Sequence, residues 1–169
     1  VDALKVAAFH IRPHGSSPGS IPDILTSNRR AAITTIAWDG KTLAADTLAQ
    51  TSVNLKARKL HRLSNGAMFG AAGSCQEIAA VLAWLNGGEK PSDLDVFEGL
   101  IIEKHGAERL GERLMRLPVF EAFWSIGSGS HFAIAAMACG KSAVEAVRLA
   151  ARFDPYTGGR VESMKLGTK

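Results

Sequence analysis

The sequence predicts an α+β domain in which two antiparallel sheets stack face to face with helices on their outer sides. Three observations carry this expectation. The dipeptides Asp39-Gly40 and Asn65-Gly66 each join two β-prone runs, and both accept the positive φ values of tight hairpins. The pairs Ser74 with Glu77 and Ser142 with Glu145 have the spacing of capping boxes, each ahead of an apolar helical pattern. Finally, the elements come in separate runs (four strands, a helix, three strands, two helices, a strand) rather than in alternation of strand and helix.

In chain order, Thr34 to Trp38 and Lys41 to Ala45 read as strands joined by a type I′ turn at Asp39-Gly40. Leu55 to Leu63 and Ala67 to Ala72 read as a second hairpin across Asn65-Gly66. A helix follows from Ser74, with Ile78, Val81, Leu82 and Leu85 on one face and Gly87-Gly88 as its stop. Val96 to Glu103 and Ala107 to Leu114 form a hairpin across His105-Gly106, and the apolar run Phe120 to Ile126 completes a second sheet. Ser130 is the expected N-cap of a helix ending at Cys139 and Gly140, Ser142 opens another that runs to about Arg152, and Arg160 to Leu166 is the last strand.

Residues 1–33 differ from the rest. Pro13, Gly15, Ser16, Ser17, Pro18, Gly19, Ser20 and Pro22 crowd together without periodicity, so this stretch is expected to be a disordered leader, a propeptide or a mis-called start. Residues 34–169 are the expected domain. The chain of 169 residues, 46% hydrophobic and 21% charged, suits one globular unit. Its apolar runs, Ile78 to Leu85 and Phe132 to Cys139, fall short of the roughly 20 residues of a membrane span, and the first residues hold no apolar signal core. No membrane partner and a cytoplasmic location are the expectations.

The net charge of +4 permits an anionic partner, and Lys56, Arg58, Lys59, His61 and Arg62 cluster. That cluster lacks the aromatic interleaving of base-stacking surfaces, so no nucleic-acid partner is expected. Cys75 and Cys139 sit in apolar helical patterns and read as buried free thiols, while His61, His105 and His131 have no ligand-like spacing. Neither a metal nor another cofactor is expected. The phosphate-binding Gly-x-x-x-x-Gly-Lys pattern does not occur, so any use of ATP belongs to a separate chain.

Several short segments carry more than a fold class: Thr34-Thr35-Ile36 after the leader, Asp46 at a strand end, Ala57 to Leu63 around Lys59, Phe69-Gly70-Ala71-Ala72-Gly73, Ile126-Gly127-Ser128-Gly129-Ser130, and Asp154-Pro155-Tyr156-Thr157-Gly158-Gly159. In this order they resemble the proteasome β-type family, including the bacterial two-component heat-shock threonine protease. The resemblance implies a four-layer αββα sandwich of the N-terminal-nucleophile (Ntn) hydrolase type and a threonine-type endopeptidase. It implies Thr34 as nucleophile, Asp46 and Lys59 as its acidic and basic partners, the Gly70 N–H as oxyanion donor, Ser128 as the active-site serine, and Asp154 and Thr157 in support. A peptide or unfolded-protein substrate, a self-compartmentalised homo-oligomer and a possible separate unfolding ATPase are implied with them.

Taken singly, these residues have plainer readings. Thr-Thr-Ile is ordinary strand sequence, Asp46 can cap a turn, Lys59 can sit on a solvated face, and the glycines can serve tight turns. The chemistry needs them together. A threonine hydroxyl requires a base, and a free α-amino group with an ordinary pKa of about 7.7–8.0 supplies one only when threonine is the first residue. Two departures from the family stand out: Ile33 precedes Thr34 where family members with leaders carry glycine, and the stretch from Gly88 to Val96 has no room for the helix usual there. A noncatalytic proteasome-like assembly subunit and an Ntn amidase acting on a small substrate are the alternatives.

Overall fold

A computed structural model describes residues 34–50, 54–92, 94–111 and 113–167. The expected leader, with Ile33 at its end, lies outside the described residues. The first sheet contains β1 (Ile36–Trp38), β2 (Thr42–Asp46), β10 (Trp124–Ile126) and β11 (Val161–Lys165) in the order β10-β1-β2-β11. The second contains β5 (Leu60–Arg62), β6 (Met68–Gly73), β7 (Phe97–Glu103), β8 (Gly106–Leu110) and β9 (Arg116–Val119), paired in chain order. A short ribbon of β3 (Leu48–Gln50) and β4 (Asn54–Lys56) lies between β2 and β5 along the chain. Among the described residues, every strand pairing is antiparallel.

Period-two alternation sorts the side chains into layers. Ile36, Trp38, Leu43 and Ala45 of the first sheet meet Leu60, Met68, Leu100 and Ile102 of the second. Between them, Ala37 and Ala44 turn the other way, toward α2 (Ser130–Ala138) and α3 (Ala143–Ala150). Phe69, Phe97 and Ile101 turn outward against α1 (Cys75–Leu85) through Val81, Ile78 and Leu82. The layers are therefore α1, second sheet, first sheet, then α2 with α3, the expected αββα sandwich. Small residues dominate the layer under α2 and α3 (Ala37, Ala44, Ala133, Ala136, Ala143, Ala146 and Ala150), which lets the helices sit close on the strands.

Both capping boxes form as expected: Ser74 and Ser142 accept from the backbones of Glu77 and Glu145, whose side chains reach back. Gly87 ends α1 at φ 100, its N–H donating to Trp84 O and that of Gly88 to Ala83 O, both 2.9 Å, which is a Schellman motif.

Other expectations change. Asp39-Gly40 is not a type I′ turn. Asp39 and Thr42 close the loop through a 3.3 Å hydrogen bond, so the central pair is Gly40-Lys41, and of these two only Gly40 has positive φ. Asn65-Gly66 belongs to a three-residue loop in which the Gly66 N–H returns to Leu63 O and Gly66 takes φ 85 before Ala67 resumes pairing. Leu55 to Leu63 is two strands, one in the ribbon and one in the second sheet. The β7–β8 loop is Lys104-His105, because Gly106 pairs with Glu103.

The expected membership of the sheets also shifts. β6 pairs with β7 in the second sheet, and β10 pairs with β1 in the first. β9, absent from the sequence reading, is an exposed edge strand containing Pro118, whose missing N–H fits an edge. The N-cap of α2 is Gly129, not Ser130. Cys75 and Cys139 are free but exposed, since each falls on the outward side of its helix end. Among the described residues, no helix is long and apolar enough to cross a membrane.

Candidate active site

The end of β2 brings the first group of candidates together. Asp46 is buried at 1% exposure, and its Oδ1 accepts from the Thr34 hydroxyl at 2.6 Å, the Thr35 N–H at 2.8 Å and Lys59 Nζ at 2.9 Å. Its Oδ2 accepts from the Leu48 and Gly158 N–H groups at 3.0 and 3.1 Å. Five donors thus converge on one carboxylate, a high degree of fixation for a side chain with two oxygens. Lys59, 5% exposed, comes from the second sheet just before β5, so the Lys59–Asp46 ion pair crosses between the sheets. Burial pushes the lysine's pKa below its ordinary 10.5, against the opposing pull of Asp46, Glu162 and Asp154.

A second cluster gathers on the other side of Thr34. The Ser128 hydroxyl lies 3.4 Å from Thr34 N, 3.2 Å from Thr34 O and 2.7 Å from Asp154 Oδ2. Asp154 Oδ2 also takes the Thr157 hydroxyl, and Thr157 Oγ1 lies 2.6 Å from Thr35 Oγ1. One proton per hydroxyl fixes the directions: Ser128 and Thr157 donate to Asp154, Thr35 donates to Thr157, and the Thr34 N–H donates to Ser128.

Glycine makes this approach possible. A Cβ at Gly127, which has φ 88, would overlap the Thr34 carbonyl oxygen, and one at Gly129 would overlap the Thr35 hydroxyl. The loop between β10 and α2 can lie this close only without side chains there.

Of the sequence-predicted residues, Thr34, Asp46, Lys59, Ser128, Asp154 and Thr157 meet here. Gly70 does not. It stands mid-strand in β6 between Leu60 and Leu100, and its α-carbon faces Ile36 and Leu60 side chains in the apolar layer. The Ala71 N–H donates to Lys59 O at 3.2 Å, so strand alternation turns the Gly70 N–H toward β7 instead. The same alternation puts the Gly73 N–H on the Lys59 side, beyond the end of β5.

Two carboxylates escaped the sequence reading. Glu98 Oε2 accepts from the Gly127 N–H at 2.8 Å, and Glu162 Oε1 accepts from the Lys59 and Leu60 N–H groups at 2.8 and 3.1 Å. Their signal was present: each shares strand parity with inward apolar residues, Glu98 with Leu100 and Ile102, and Glu162 with Met164.

No family model and no curated protein matches the sequence. Solved structures do. The chain is similar to BPH of Thiobacillus denitrificans, at 21% identity and a TM-score of 0.62, over 80% of this chain and 99% of that one. It is similar to the same protein in complex with epoxomicin, at 20% identity and 0.61, with the same coverage. It is also similar to HslV from Trypanosoma brucei, at 17% identity and 0.57, over 78% of this chain and 97% of that one. The chain thus has the fold of the proteasome β-type, Ntn-hydrolase family.

Proposed function

We propose that this chain is a threonine-type endopeptidase whose nucleophile is Thr34 once that residue is N-terminal. The observation that carries the reading is the buried Asp46 carboxylate, which holds the Thr34 hydroxyl, the Thr35 N–H and the Lys59 ammonium on one oxygen. A merely structural ion pair needs no hydroxyl from a third segment.

The chemistry follows from the two clusters. A free Thr34 amine would lie beside Ser128, which hands its own proton toward Asp154 and so offers the amine an acceptor oxygen. The amine takes the Thr34 hydroxyl proton as Oγ1 attacks the substrate carbonyl, with the Lys59 charge favouring the developing alkoxide. The tetrahedral oxyanion needs a donor. The Gly73 N–H, past the end of β5 and on the Lys59 side, suits that role better than the Gly70 N–H, which the second sheet engages. Collapse breaks the C–N bond, the amine's proton leaves with the departing amino group, and water then hydrolyses the ester at Thr34.

A peptide or unfolded-protein substrate, self-compartmentalised assembly, a cytoplasmic setting and a separate unfolding ATPase belong to the same proposal. Its test is the intact mass and N-terminal residue of purified protein, with cleavage of a mixed peptide library, for the wild type and Thr34→Ala. A wild type beginning at Thr34 that cleaves peptides, beside an inert variant, supports the reading. A leader kept on both and no cleavage by either supports the noncatalytic assembly subunit instead.

A further inference from the structure

We infer that Glu162 is a positioning residue for Lys59, acting as a carboxylate clasp from the edge of the first sheet to the edge of the second. The inference rests on the proposed role of Lys59 beside Thr34.

β11 and β5 are the edge strands of their sheets, and Glu162 spans the gap between them. Its register partner in β2 is Ala45, the residue before Asp46, so the clasp is anchored next to the acid that Lys59 must reach. One oxygen, Oε1, takes both the Lys59 and the Leu60 N–H. Lys59 O meanwhile accepts from the Ala71 N–H. The lysine's main chain is therefore held on both sides, by β6 through its carbonyl and by β11 through its amide.

This arrangement solves a specific problem. Lys59 precedes β5, a three-residue strand with no neighbouring strand on its outer side among the described residues, so the outward N–H groups there need another acceptor. A side chain aimed across to Asp46 at 2.9 Å needs a fixed starting point, since about 1 Å of misplacement costs large factors in rate. Glu162 provides that point, and its charge also faces Lys59 together with those of Asp46 and Asp154.

The test compares wild type, Glu162→Gln and Glu162→Ala in two ways: exchange of the Lys59 and Leu60 amide hydrogens by NMR, and the rate at which a peptide vinyl sulfone adds to Thr34, read by intact mass. Glutamine keeps an acceptor oxygen and is expected within about twofold of wild type in both. Alanine is expected to speed exchange and slow adduct formation by at least about tenfold each. Unchanged amide protection in the alanine variant overturns the clasp. Lost protection with an unchanged adduct rate overturns its role in positioning Lys59. A wild type that forms no adduct refutes the threonine-nucleophile reading, and exchange still decides whether the clasp exists. If the alanine variant does not fold, Glu162→Met, which keeps the side chain's bulk and removes its acceptor oxygens, takes its place, and unchanged protection of the Lys59 and Leu60 amides in it overturns the clasp.

Discussion

Lys59 Nζ stands 2.9 Å from Asp46 Oδ1, with the two side chains 6% and 1% exposed, so each charge depends on the other for its place in the fold. The pair joins the second sheet to the first at the point where Thr34 enters β1.

Removing the acid should therefore be worse for stability than removing the base. Asp46→Ala strands a buried cation and is expected to cost about 3–5 kcal/mol in urea unfolding. Lys59→Met leaves Asp46 its hydroxyl and N–H donors, and is expected to cost clearly less while lowering peptidase rate by about 10²–10⁴. Equal stability losses in the two variants would contradict the assignment of Asp46 as the hub.

The pH dependence of stability follows from Lys59. Its folded pKa lies below 10.5, so between the two values the unfolded chain binds more protons and stability rises with pH. The unfavourable contribution is fully present below the folded pKa and vanishes above 10.5. Urea unfolding across the alkaline range should show wild type gaining on Lys59→Met as pH rises, and parallel curves would contradict this.

The loop glycines give a sharper steric test. Gly129 has an ordinary φ of −87, so alanine there strains no backbone and acts only through overlap with the Thr35 and Thr157 hydroxyls. Gly129→Ala is expected to cost about 1–3 kcal/mol and to reduce adduct formation at Thr34. Gly127→Ala meets the Thr34 carbonyl at φ 88, where the backbone cannot yield, and should be the more damaging of the two.

Glu77 reaches beyond its capping box. Oε1 accepts from the Asp95 N–H at 2.7 Å and the Val96 N–H at 3.3 Å, tying the chain entering β7 to the start of α1. Burial acts to raise its pKa, but the hydrogen bonds from Ser74, Asp95 and Val96 outweigh it and bring the value below 4.5. The resulting stability is present above 4.5 and is lost as pH falls through the folded value. Glu77→Ala should cost about 1–2 kcal/mol at neutral pH, with the difference from wild type shrinking in acid.

The layers were legible because they depend on local chemistry, whereas the candidate site residues came from the resemblance of short motifs. Capping boxes and alternating apolar residues identify their elements from neighbours alone, as Ser74 with Glu77 and Leu100 with Ile102 do. Sheet membership was not legible in the same way: β6 and β10 pair across the chain, and nothing within Met68–Gly73 or Trp124–Ile126 names the partner. Turn phase failed for a related reason, since the Asp39 carboxylate is taken up by the Thr42 and Ala143 N–H groups, which settles the loop one residue later. Strand parity marks Glu98 and Glu162 as inward-facing, but not what they bind, because their partners are backbone amides in distant segments. Gly70 was picked by motif, whereas N–H direction depends on strand parity, which the register alone fixes.

The most direct measurement is the intact mass of the chain after exposure to a peptide vinyl sulfone, an electrophile that adds whole to a nucleophilic hydroxyl, followed by peptide mapping. One equivalent of adduct is expected on Thr34 in chains that begin at Thr34, and none in Thr34→Ala or in chains retaining Ile33. An adduct of equal yield in Thr34→Ala, or none on a chain whose first residue is Thr34, would contradict it.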